Sequence, residues 1–145
     1  MANNLSDVVE NDILIYYLTA ASVSVTRPSA WFLGLQSNSG TDESNAAWRA
    51  MEVTSGSNYV RLAVGAFATP AASTGSNTYY TSNSAAVSFV SCGATAWGNI
   101  SYISVWDSSA TSGGNLLFWS SITAVNVTSG DTVTVAVGAV RIDMF

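Results

Sequence analysis

The chain has 145 residues, of which 48% are hydrophobic and only 9% charged, enough for one domain that buries roughly two-thirds of its unfolded surface. Four arginines, no lysine and nine acids leave a net charge of −5 and a pI near 4.1; so few cations exclude neutralising a run of nucleic-acid phosphates or docking on an anionic membrane. The polar surface must then be built from Ser, Thr, Asn and Gly, a surface suited to being covered by neighbours.

Residues 5–20 read as the one helix, with Asn4 as its N-cap. Leu5, Val9, Ile13 and Tyr16 recur at spacings of four, four and three, which predicts a single apolar stripe facing inward. Asp7 and Glu10 suit the positive end of the helix dipole. The run 13–18, which includes Ile13, Tyr16 and Tyr17, is too apolar for a solvated face, so the helix is expected to dock on a sheet or on a neighbouring subunit.

Beyond residue 20 the period changes to two. Residues 31–35 read as a buried strand in which Gly34 marks a bulge or a close backbone approach. Residues 36–47 are polar and Gly/Asn/Ser-rich, an exposed loop. Trp48, Arg49 and Met51 follow; a Trp and a Met beside an Arg on a loop have the composition of an interface anchor, and a loop tucked onto its own core is the alternative. Residues 59–67 alternate, predicting a half-buried strand with Val60, Leu62, Val64 and Ala66 on the aliphatic face. Residues 70–83 read as a small polar linker around Tyr79 and Tyr80, and 85–90 as a strand.

Residues 97–107 and 116–122 are two runs of aromatic and β-branched residues separated by Ser, Thr, Gly and Asn, the composition of paired antiparallel strands and their loop. Trp97, Trp106 and Trp119 lie here. Aliphatics surround them, so Trp106 is expected in the core, without a polar partner set. Val133, Val135 and Val137 share a strand face, Gly138 breaks it, and Val140, Ile142 and Met144 resume the alternation. Seven or eight short strands with Gly/Ser loops predict an all-β fold, an antiparallel β-sandwich or jelly roll with one short N-terminal α-helix, over a single domain 1–145.

The chain has no His and no Lys, so Ser-His-Asp and Cys-His sites, Ser-Lys dyads, Schiff bases and lysine-dependent phosphate loops cannot be built. Zinc sites of the usual kinds fail with one Cys and no His, and Cys92 reads as a small buried hydrophobe. Carboxylate chemistry is left. Asp42, Glu43, Glu52, Asp107, Asp131 and Asp143 each lie beside a turn or a chain end, where acids commonly cap or bond to the backbone. No catalytic residue, metal site or cofactor is therefore assigned. Sugar stacking on exposed aromatics stays open for Trp48 and Trp97. The opening residues lack a basic signal region, and no apolar run reaches the ~18 residues of a spanning helix; synthesis and folding in a cytoplasm are expected.

Several segments occur in one order along the chain: Met1-Ala2-Asn3-Asn4-Leu5-Ser6-Asp7, Glu52-Val53-Thr54-Ser55-Gly56 leading into Tyr59-Val60-Arg61, Trp97-Gly98-Asn99-Ile100-Ser101, Gly113-Gly114-Asn115-Leu116-Leu117-Phe118 and Ser129-Gly130-Asp131-Thr132. As a set they resemble small structural proteins of tailed-bacteriophage virions, tail fibre proteins among them, and are in part similar to jelly-roll capsid cement proteins. The resemblance implies virion structure, with no catalytic residue and no cofactor. The expected role is a capsid cement or decoration protein on the outside of the head, partnered by the major capsid protein and by copies of itself; a tail or tail-fibre component contacting the host surface is the alternative. The expected contact residues are Trp48, Arg49 and Met51 in the loop, and Ile13, Tyr16 and Tyr17 on the helix.

Overall fold

A long hairpin forms the middle of the protein. In the computed structural model, which describes residues 4–19, 28–53, 58–72 and 79–144, strand β7 (Gly98–Trp106) runs antiparallel to β8 (Leu116–Val127). Both segments are rich in β-branched and aromatic residues, which fit a pleated, half-buried surface. Strand β2 (Phe32–Gln36) pairs with the other edge of β7, β3 (Leu62–Ala63) with β2, and β1 (Asn4–Leu5) with β8. The five-stranded order is β1-β8-β7-β2-β3, antiparallel throughout.

Among the described residues there are two smaller antiparallel sheets. Strands β4 (Ala71–Ala72), β5 (Tyr79–Ser82) and β10 (Arg141–Met144) form one, in the order β10-β5-β4. Strands β6 (Val87–Ser88) and β9 (Thr134–Val135) form the other. The protein is thus an all-β sandwich type with a short N-terminal helix, α1 (Asp7–Leu18), and a second helix of six residues, α2 (Asn45–Ala50).

Alternation along the central strands divides the core in two. Leu33, Leu35, Ile103 and Val105 point to the face that packs against Val87, Phe89, Trp97 and Val140. Each such fully buried side chain contributes on the order of 1.5–3 kcal/mol of transfer free energy. The opposite face carries Gly34, Gln36, Ser104 and Trp106, and there Trp106 and Leu116 cluster with Trp48 of α2. Gly34 is a close approach, as its sequence position implied: a Cβ there would lie 2.7 Å from Ser104 Oγ and 3.0 Å from Trp106 Nε1. A register shift between Val105 and Trp106 inserts one extra residue, Leu117, into β8, so that Leu117 and Phe118 both pack on the first cluster while Leu116 joins Trp106 in the second.

Several local expectations are corrected. The N-cap of α1 is Ser6, whose hydroxyl accepts from Val9 N at 3.4 Å; Asn4 pairs instead with Trp119 as part of β1. In residues 59–67 the inward positions are Tyr59, Arg61 and Val64, while Val60 is 50% exposed. Arg61 reverses the expected parity because it is buried by an ion pair rather than by hydropathy. The supposed linker 70–83 carries β4 and β5. It ends in Asn83, a buried amide that donates to the carbonyls of Ala85 (2.8 Å) and Ala136 (2.9 Å) and accepts from Val140 N (2.9 Å), tying three segments together.

Candidate functional site

The densest polar chemistry lies on the α2 side of the large sheet. Helix α2 starts at Ser44, whose side chain accepts from Ala47 N, and just beyond its end an isolated bridge between Gln36 and Glu52 delivers the Glu52 carboxylate beneath the sheet. Arg61 meets it with two prongs, Nε to Oε1 at 2.7 Å and Nη2 to Oε2 at 2.6 Å. The Tyr59 hydroxyl donates to Oε1 at 2.8 Å and accepts from Leu35 N at 2.8 Å. Burial, reinforced by the Glu52 carboxylate, pushes the Tyr59 phenol well above its ordinary pKa.

The remaining guanidinium nitrogen of Arg61 holds a loop. Nη1 donates to the carbonyls of Ser108 (3.2 Å), Ala110 (2.9 Å) and Gly113 (2.9 Å), and the guanidinium carbon sits 3.7 Å from the Trp106 ring centre. Asp107 closes the same loop by accepting from Asn115 N at 2.6 Å and Asn115 Nδ2 at 2.8 Å. Gly114, at φ +82°, is required there, because a Cβ would fall 2.6 Å from that of Ser108. Trp106 Nε1 donates to Ser104 Oγ at 2.6 Å, and the Gln36 amide donates to the same oxygen. Trp106 is fully buried as expected, but with the polar partner set that its aliphatic neighbours in sequence concealed. The arrangement neutralises a buried charge and clamps a loop.

Three of the other candidate carboxylates are engaged locally, and Glu43 is exposed. Asp42 accepts from Ser44 N at 2.8 Å and Asp131 from Thr128 N (2.8 Å) and Oγ1 (2.7 Å), hydrogen bonds that hold both carboxyls below the usual range. Asp143 pairs with Arg141, whose guanidinium lies 4.0 Å from the Tyr80 ring centre. Among the described residues no three His, Cys, Asp or Glu side chains gather as a metal site would require, and no helix is long and apolar enough to cross a membrane.

The expected contact residues separate into two groups. Trp48 is 1% exposed, with its ring centre 4.6 Å from that of Trp119 and 5.7 Å from that of Tyr102. Arg49 donates to the Gly114 carbonyl at 3.0 Å, and Met51 is half-buried. Trp48 itself packs with Trp106 and Leu116 on the protein's own core. Trp97, the other tryptophan kept open for sugar stacking, is 7% exposed and packs on Tyr59 and Phe89.

On α1, Ile13 is half-buried and lines an apolar cleft of about 310 Å³ with Val9, Trp31, Phe67 and Phe118. Tyr16 and Tyr17 are 69% and 75% exposed, and Leu14 and Leu18 beside them are 56% and 74% exposed. This helix end is the largest grouping of exposed apolar side chains close in sequence among the described residues. Val9 and Ile13 therefore face the cleft from the helix and Leu5 faces it from β1, while Tyr16 of the expected stripe is exposed.

Residues 4–143 match the model of the family described as podophage GP4 fiber I protein gp80. No curated protein matches the chain.

Proposed function

We propose, from the premise that the chain belongs to the podophage GP4 fiber I protein gp80 family and is a bacteriophage structural protein of the fibre type, that it serves on the tail as a non-enzymatic subunit held in place by copies of itself. The observation that carries this reading is where its ionic chemistry goes: Glu52, Asp107 and Asp131 are spent on Arg61, Asn115 and Thr128 within the fold. A body braced in this way keeps its loops in one shape, as a part under mechanical load needs. The family match shifts weight from the head surface toward the tail.

Decoration of the major capsid protein on the head is the second reading. It is favoured by a sequence without the heptads, collagen triplets or repeated β units from which long fibres are commonly built. Gold-labelled antibody applied to intact particles and to separated heads and tails tests the two. Label confined to tails is the expected result; label spread over isolated heads at lattice density would replace the tail reading with the decoration reading.

A further inference from the structure

We propose that Gln36 and Ser104 condense into an ester, a cross-link that the folded chain makes for itself between β2 and β7. The inference goes beyond the virion reading and does not depend on a place at the tail or the head. Gly34 and Ser104 are register partners across the β2–β7 ladder. Gln36, two residues on, brings its side-chain amide onto Ser104 Oγ. Both side chains are fully buried. Well-oriented groups held together in this way react with effective molarities on the order of 10⁵–10⁸ M, and a site closed to water protects a reactive product from hydrolysis.

As an amide and an alcohol, the pair leaves hydrogen-bonding capacity unmatched. Ser104 Oγ accepts from Gln36 Nε2 and again from Trp106 Nε1, the second at 2.6 Å, so its own proton is committed to neither. Gln36 Oε1 is buried and meets no hydrogen-bond donor among the described residues. An orphaned acceptor of this kind is uncommon in an interior and calls for a cause. Turning the amide over only exchanges the orphaned oxygen for an orphaned NH₂. Ester formation removes both amide hydrogens and the hydroxyl proton together, and leaves one carbonyl acceptor beside the indole N–H of Trp106.

The groups that such a transfer needs stand around one gap. A Cβ at Gly34 would lie 2.7 Å from Ser104 Oγ and 3.0 Å from both Glu52 Oε1 and Trp106 Nε1, so nucleophile, carboxylate and N–H donor converge where the glycine has no side chain. Bonds from Tyr59 and Arg61 fix that carboxylate oxygen in place. Rotation about the last torsion of Gln36, a broad and soft one, turns Cδ toward Oγ. The Oγ–Cδ bond forms as the Oγ proton passes to Glu52 Oε1. The Cδ–Nε2 bond then breaks as that proton returns to the nitrogen, and ammonia leaves. Nothing is oxidised or reduced, Glu52 ends as the carboxylate it began, and escape of ammonia into solvent draws the exchange forward.

Mass spectrometry of the purified, denatured full chain tests this. The expected intact mass is one ammonia, about 17 Da, below that of the sequence, the loss that ester formation from an amide requires. Trypsin does not cut between Arg27 and Pro28, so an unlinked chain gives residues 1–49 and 62–141 as separate peptides. The ester holds these two together as one species, and mild alkali, which hydrolyses esters, frees them. Ser104→Ala and Gln36→Met are each expected to show full sequence mass and separate peptides. A parent chain at full sequence mass overturns the proposal. So does a deficit that persists in Ser104→Ala, or one whose two peptides run apart, since either places the lost ammonia elsewhere. The mass is read without the virion, so antibody labelling of heads alone would sink the tail reading and leave this one, and a full-mass chain labelled on tails would do the reverse.

Discussion

The two faces of the five-stranded sheet are held by different physics. Toward Val87, Phe89 and Val140 the packing is aliphatic and aromatic, and any side chains of similar volume and shape would serve nearly as well. Toward α2 the same strands present Gln36, Ser104 and Trp106, and cohesion comes from directional bonds centred on Arg61 and Glu52. The first face sets how stable the protein is; the second sets which loop conformation it holds. A protein whose polar surface is mostly neutral gains specificity by taking its few charges inside.

The largest effect that would break this comparison is Arg61→Ala. It strands the Glu52 carboxylate in a buried site and releases three loop carbonyls, at an expected cost of about 3–5 kcal/mol in urea unfolding. Replacing Glu52 and Arg61 together by Leu and Met is expected to restore most of that loss, since an apolar pair of similar volume often equals a buried ion pair. Amide exchange in residues 107–115 should nevertheless stay fast in the double variant. If the loop remained protected there, its shape would owe nothing to the ion pair. Leu33→Ala on the opposite face is the matched control. It is fully buried and should cost about 3 kcal/mol from transfer and cavity terms, while loop protection falls only in step with global stability.

The faces were also unequally legible. The central hairpin was readable from residues 97–122 because two β-branched runs flank a Gly- and Ser-rich loop, and the register needs only local pairing. Gly34 stood out as the one small residue in an apolar strand. The α2 face was not readable, because alternation places a lone arginine on the solvent side unless its partner is known. Glu52 lies nine residues earlier, and the burial of Trp48 depends on Tyr102 and Trp119, which are more than fifty residues away in the chain. Residues 79–82 gave a weak strand signal because their pairing comes from β10 at the far end of the chain. What could have pointed to the node is the pairing of scarcities: among four arginines, one sits inside an otherwise aliphatic strand, preceded by a glutamate just ahead of a turn.

The smallest effect expected, and the one that sharpens the comparison most, is its dependence on pH. The Tyr59 phenol bridges the two faces: its ring stacks on Phe89 and meets Trp97 on the apolar side, while its hydroxyl serves Glu52 on the polar one. Burial, with the Glu52 carboxylate nearby, raises its folded pKa above the ordinary phenol value of about 10. A raised folded value means that the contribution is complete below the unfolded pKa and is lost as pH rises toward the folded one. Above pH ~10 the unfolded chain releases the proton that the folded chain keeps, so stability should fall by about 1.4 kcal/mol per pH unit from this group alone. Urea unfolding of the parent and of Tyr59→Phe across pH 9 to about 11.5 separates this residue from the other tyrosines, which both proteins share. The variant should start lower, by roughly 1–2 kcal/mol for the lost hydrogen bonds, and decline less steeply, so that the two curves converge. Parallel curves would mean that Tyr59 titrates normally and that water reaches the seam between the faces.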